Sequence, residues 1–209
     1  MIDPRASAAA NNAAWCDEVC RAAGLATRTD DDAWWSPTRT PPAHPDAVTL
    51  RPGLDAARLV ARIDDGPGAS VKDSFADLDL APFGYSVLFD ATWIHRPAGH
   101  DEPVLVWTLA PGSLPAVRGT SEDVAVLIAP ALGARVALNR SGSGTAQVVG
   151  ISNVDAADGD PVDVWRDLSA LARATFGPLP LVGYEADDGL PPALAAGFTT
   201  TGPLRIWVR

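Results

Sequence analysis

The last third of the chain changes its hydrophobic period four times, and the changes predict strand, helix, strand, helix, strand. Residues 148–154 (Val-Val-Gly-Ile-Ser-Asn-Val) are apolar and β-branched, the composition of a buried strand. Asp160-Pro161 then supplies an N-cap followed by a first-turn proline. Val164, Trp165, Leu168, Leu171, Ala172 and Phe176 recur at helical spacing over 162–176, and Gly177-Pro178 ends that helix. Residues 181–184 predict a second short strand. Asp187-Asp188 opens a second helix that closes at Gly197, and residues 203–209 form a last strand.

Upstream the runs are shorter. Residues 11–23 predict a helix with Ala14, Trp15, Val19 and Ala23 on one side and Gly24 as its cap. Pro37, Pro41, Pro42 and Pro45 make 36–45 an extended connector. Strands are expected at 48–50, 69–75, 85–94, 104–109 and 134–139, a helix at 54–63, a short helix or turn at 77–83, and a helix or strand at 121–128. Ser141-Gly142-Ser143-Gly144 is a hairpin turn into Val148. The polar stretch 96–102 is the best boundary between an N-terminal α/β half, residues 1–96, and a C-terminal half, residues 103–209, packed as one body. The halves share an order: strand, acidic turn, apolar piece, Gly-aromatic (Gly84-Tyr85 or Gly197-Phe198), and a strand ending at or near a tryptophan, Trp93 or Trp207. That order predicts a pseudo-duplicated body in which 69–95 matches 181–208. Chance likeness of short units is the alternative.

Composition narrows the function. A net charge of −10 argues against a nucleic-acid role, which needs a basic face. No apolar run approaches the ~18 residues of a membrane span, and the first ten residues lack a secretory pattern, so a cytoplasmic protein is expected. Cys16 and Cys20 share one helix face and read as small buried apolar residues. The single lysine, Lys72, reads as a surface residue paired with Asp73. Trp34, Trp35, Trp93 and Trp107 are candidates to line a pocket for an apolar or cationic ligand.

The C-terminal order, with Leu194-Ala195-Ala196-Gly197-Phe198 and then Gly202-Pro203-Leu204-Arg205, resembles the C-terminal half of the Gcn5-related N-acetyltransferase (GNAT) superfamily. The resemblance covers about residues 120–209. It implies an α/β (α+β) fold, with a mixed central sheet flanked by helices. It also implies acyl-coenzyme A lying in a V-shaped opening between two parallel strands, with its pyrophosphate on N–H groups at the start of the next helix. Carried onto this chain, the cofactor contacts are Asn153, Val154 and Gly159. The family's loop has Arg or Gln, two residues, Gly, one residue, then Gly or Ala. Here 156–161 holds one glycine, Gly159, and no arginine, while Asp158 and Asp160 flank it and Pro161 lacks an N–H. The family's general-acid tyrosine falls on Ala193, which leaves Tyr184 as the substitute acid and Glu185 as the general base. Ser152 and Trp93 are the substrate contacts.

Two functions stand at this stage. One is transfer of an acetyl or other acyl group from coenzyme A to a small-molecule amine. The other is a catalytically silent protein of the same fold that binds a ligand or partner. A homodimer is left open.

Overall fold

The apolar runs become strands of one sheet, because their alternate residues find cover on opposite sides. The computed structural model describes residues 3–110 and 122–209. Its first elements are helix α1 (Pro4–Ala22), strands β1 (Arg28–Thr29), β2 (Ala33–Trp35) and β3 (Ala47–Thr49), helix α2 (Ala56–Val60), and strands β4 (Ser70–Asp73), β5 (Ser86–Arg96) and β6 (Thr108–Leu109). Then come β7 (Val124–Ala129), β8 (Ala134–Ser141), β9 (Val148–Asp155), α3 (Pro161–Phe176), β10 (Leu181–Glu185), α4 (Leu190–Ala195) and β11 (Thr199–Val208). The helix or strand expected at 121–128 is β7, and its first expected residue, Ser121, lies outside the described residues.

The eleven strands run in the order β1-β2-β3-β4-β11-β5-β10-β9-β8-β7-β6. β9 and β10 are parallel neighbours joined by α3, as the C-terminal pattern predicts. β3 and β4 are parallel too, with α2 between them. The other pairs are antiparallel. Leaving β6 aside, exchanging β1–β5 for β7–β11 returns the same order read backwards. β5, from the N-terminal half, pairs only with β10 and β11, and β11 reaches back to pair with β4. The boundary expected at 96–102 is thus a crossing of the chain, and the sheet continues through it.

α1 covers one face of the sheet. Ala8 and Ala9 pack on Ala91, Trp93, Val182 and Leu204, while Trp15 and Val19 meet Val124, Val126 and Ala137. Ala13, Cys16 and Cys20 meet Trp34 and Val48. One helix therefore touches both halves. It starts at Pro4, seven residues earlier than expected, capped by Asp3, which accepts the Arg5 N–H at 3.0 Å. Its close approach needs Gly150, because Asn11 sits where a Cβ would stand. Asn11 Nδ2 donates to Asn139 O (3.0 Å) and Ser141 Oγ (2.8 Å), and Asn139 Nδ2 returns a bond to Asn11 O (3.4 Å). Burial pushes the Cys16 thiol up to about 12 and Cys20 to about 11, so both are packing groups.

The opposite face carries the other helices. Trp165, Leu168 and Leu171 of α3 and Ala193 of α4 cover Ile94, Val149, Ile151 and Leu181. Leu59 and Val60 of α2 cover Ala47, Val71 and Trp207. The strand expected at 104–109 shrinks to β6. Ahead of it, Asp167 of α3 accepts N–H bonds from Val104 (2.8 Å), Leu105 (2.9 Å) and the Trp107 indole (2.8 Å), so the segment follows the helix and not a strand.

A fragment of residues 103–209 lacks β5 and α1. It should show no cooperative thermal transition and poor amide dispersion, since β10 and β11 lose their shared neighbour. A sharp melt of that fragment would mean that the crossing strand is dispensable.

Candidate functional site

β9 and β10 hold register only at Val149–Leu181 and Gly150–Val182, and then part. The cause lies on the other side of β9. Between Ala137–Ser152 and Arg135–Asp155, β9 advances three residues against two on β8, and Asn153 takes a left-handed φ of 53°. This bulge turns β9 away from β10 and opens a V. The opening is a cavity of about 260 Å³, floored by Ile151, Ser152, Asn153, Val154, Tyr184 and Glu185 and roofed by Asn12, Trp15 and Cys16 of α1. His44 and Lys72 close it from the N-terminal half.

Each wall is fixed by buried bonds. The loop bearing His44 turns on Asp46, fully buried, which accepts from Thr40 N (2.9 Å), Ser70 N (2.9 Å) and Arg39 Nη1 (2.7 Å). His44 Nδ1 lies 3.1 Å from Pro42 O, which places its proton on Nδ1, and burial lowers its pKa, so the ring is neutral at neutral pH. Lys72 is 3% exposed. Its Nζ donates to Asn12 Oδ1 at 2.8 Å and stands 4.0 Å from the Tyr184 ring centroid. None of the ion pairs among the described residues includes it. Asp73, the partner expected for it, is buried and accepts from Phe75 N (3.2 Å) and Leu78 N (2.9 Å) instead. Ser152 Oγ is buried without a partner. Burial alone pushes the Glu185 carboxyl up to about 7, with its side chain resting where a Cβ on Gly189 would stand.

A second cavity, of about 440 Å³, adjoins the first and shares Ala43, His44, Pro45, Lys72 and Tyr184 with it. Its remaining walls include Pro41, Pro42, Leu88, Phe89, Ile206 and Val208. The parallel pair β3–β4 of the first half shows no such opening, since Thr49 Oγ1 accepts the Ser74 N–H at 2.8 Å and both residues are buried.

The loop between β9 and α3 is loaded. Ala157 N donates to Asp155 Oδ1 (2.9 Å), Asp158 N to Leu132 O (3.3 Å) and Gly159 N to Ala156 O (2.8 Å). Val162 N donates to Asp160 Oδ1 (2.8 Å) and Asp163 N to Asp160 O (3.1 Å). Asp155, Asp158, Asp160 and Asp163 crowd the same turn. A pyrophosphate meets occupied donors and four carboxylates here, so the loop does not fit that group.

No family model matches the chain. No curated protein matches it in sequence. Its backbone is similar to that of a putative acetyltransferase from the GNAT family of Novosphingobium aromaticivorans. The TM-score is 0.55 at 12% identity, over 96% of this chain and 98% of that one. The fold is that of the Gcn5-related N-acetyltransferases. A GCN5-related N-acetyltransferase from Sphaerobacter thermophilus aligns over 73% of this chain and 63% of that one at 12% identity, with a TM-score of 0.38. No helix of the described residues is long and apolar enough to cross a membrane.

Within this GNAT fold, Ser152, Asn153, Val154, Tyr184 and Glu185 come together as anticipated from sequence. Gly159 does not join them, because its N–H and its space are taken by Ala156 and Leu132. Trp93 does not reach the cavity either. It is fully buried, donates to Ser74 O at 2.8 Å, and backs Tyr184 edge-on with centroids 5.6 Å apart. Trp34, Trp35 and Trp107 likewise pack elsewhere, and Trp15 is the tryptophan that lines the site. Lys72, His44 and Asn12 are the members that sequence reasoning left out. The one signal for Lys72 was a lone lysine in an otherwise arginine-rich chain.

Glu185 offers a stability test. Its folded pKa, about 7, lies above the ordinary 4.5, so the folded state loses stability as pH rises from about 4.5 through 7. Glu185→Gln should therefore melt at a higher temperature than the parent at pH 8 and at nearly the same temperature at pH 4. Equal melting at both pH values would show that the carboxyl is well solvated.

Proposed function

We propose that the protein is an N-acyltransferase of the GNAT fold that accepts a small-molecule amine in the β9–β10 opening, with Glu185 as its base. The carrying observation is the position of Glu185. It ends β10 at the mouth of the opening, with a carboxyl raised to about 7. An alkyl ammonium must lose its proton before nitrogen can attack a carbonyl, and a carboxylate that titrates near neutrality is suited to take it. Tyr184 faces both cavities and is held by Trp93 and Lys72, which fixes the ring as one wall of the acceptor chamber. Ser152 Oγ lies buried at the floor of the opening without a protein partner, a polar group left unsatisfied there. Tyr184 and Ser152 position the amine, and Glu185 takes its proton.

An acyl-coenzyme A is the donor the fold resemblance implies. The β9–α3 loop does not fit its pyrophosphate. That same loop favours a second reading, in which the chamber binds an amine and transfers nothing.

Calorimetry and a free-thiol assay separate the two. Acyl transfer predicts weak acetyl-coenzyme A binding, worse than about micromolar, and thiol release that depends on added amine. Turnover should rise as pH passes through about 7, because the base works deprotonated. Gly189→Ala should displace the Glu185 carboxyl and lower turnover about tenfold with little change in melting temperature. Amine binding without thiol release at any pH would select the silent reading, and turnover unchanged in Glu185→Gln would remove Glu185 as the base.

A further inference from the structure

The strand register fixes the floor of the second cavity residue by residue. Lys72 on β4 stands opposite Ile206 on β11, and Ile206 stands opposite Phe89 on β5. Directly opposed residues of antiparallel strands share a face, so these side chains form one row across the sheet, and all of them line the cavity. Two strand spacings of about 4.8 Å put the ends of the row about 10 Å apart. Between Phe89 and Val87, β5 carries one residue more than β11, and that extra residue, Leu88, joins the same wall. The proline loop, with Pro41, Pro42 and Pro45, closes the opposite side. Exposure climbs along the row, from 3% at Lys72 and 7% at Ile206 to 37% at Phe89, and reaches 57% at Leu88. The cavity thus has a closed end that holds an amine and an open end lined by apolar groups.

Lys72 has three N–H donors. One goes to Asn12 Oδ1, and the Tyr184 ring face meets part of the charge. Among the described residues no carboxylate forms an ion pair with it. Such company offsets only part of the cost of removing an ammonium from water. Arg39, the other cation of fixed charge on this cavity, is already held by Asp46 at 2.7 Å and by the Asp64 and Gly66 carbonyls. The described walls therefore present one buried cation with donors to spare, and apolar surface leading away from it.

We propose that the second cavity binds a free apolar monocarboxylate, its carboxylate on Lys72 Nζ at the closed end and its tail laid along Ile206, Phe89 and Leu88. The site does not depend on Glu185, which lines the first cavity and not the second. The ligand supplies the counter-ion that the protein withholds, and a charge-assisted bond of this kind is about twice as strong as a neutral one. Its tail covers apolar surface that the folded chain leaves wet at Phe89 and Leu88. A volume of about 440 Å³ lies within the range of small-molecule sites, and an extended octanoate chain is of the same order of length as the row.

The test is calorimetry on the whole chain at neutral pH with octanoate, octanol, octylamine and acetate. Octanoate should bind at least tenfold more tightly than each of the others. Lys72→Met should abolish its advantage over octanol, and Leu88→Ser should weaken octanoate without changing acetate. Because Lys72→Met strands Asn12 and threatens folding, a second measurement uses the unaltered protein. Lys72 is the only lysine, so growth on lysine labelled with heavy nitrogen leaves a single side-chain amine signal. Octanoate should shift that signal and octanol should not. Octanol binding as tightly as octanoate, or a labelled signal that does not move at saturation, would overturn the contact with Lys72. Acetate equal to octanoate would remove the apolar slot, as would a Leu88→Ser protein that binds octanoate unchanged. No octanoate binding at millimolar concentration would overturn the site altogether, while leaving the reading of Glu185 as a base where it stood.

Discussion

β5 depends on a single constraint, that both of its neighbours come from the far end of the chain. Residues 92–96 pair with β10 and residues 86–95 pair with β11, so the centre of the sheet exists only when sequence positions about a hundred apart have met. Contacts of such range are the slow and expensive ones to form, because the loop must close before any burial rewards it. The candidate chamber lies beside this seam, at β10. α1 is laid across it by alanines and by the Asn11–Asn139 amide pair over Gly150, so the helix acts as a strap on both halves. The chamber beneath it borrows walls from each.

The opening itself is made by backbone and not by side chains. One left-handed residue, Asn153, adds a step to β9, and two parallel strands that would otherwise zip closed leave a gap. In the first half, the equivalent β3–β4 gap is plugged by Thr49 and Ser74. The asymmetry of one bulge thus decides which parallel pair of a palindromic sheet opens. The loop that follows β9 has taken the contrary course, filling its own donors with its own acceptors. The β9–β10 splay is open, and the loop that follows it is filled by its own hydrogen bonds.

The C-terminal strands and α3 were legible because each is long, strongly periodic and flanked by caps such as Asp160-Pro161 and Gly177. The same N-cap and proline signal, Asp3-Pro4, opens α1, yet 4–10 shows no amphipathic period because the face it buries is alanine. Segment 104–107 reads as a strand by local pattern and is held by Asp167, about sixty residues on, which no window of sequence can see. The site divides the same way. Strand-end residues, Tyr184 and Glu185, and the polar pair Ser152-Asn153 announce themselves by standing out from apolar strands. Lys72, His44 and Asn12 reach the chamber only through the seam, so their roles are tertiary. Asp73 misled for the same reason, since a neighbour in sequence points to the opposite side of a strand.

The burial of Lys72 has a consequence for the chemical character of the surface. It is the only side-chain amine in the chain, and it lies under α1 against Tyr184. Every other basic side chain of fixed charge is a guanidinium, which keeps its proton in water and does not attack electrophiles. The exterior is cationic in places without being nucleophilic there, so activated carbonyls and aldehydes that scar lysine-rich proteins find no side-chain amine on it. For this chain, labelling of side-chain amines collapses to the chemistry of one buried position.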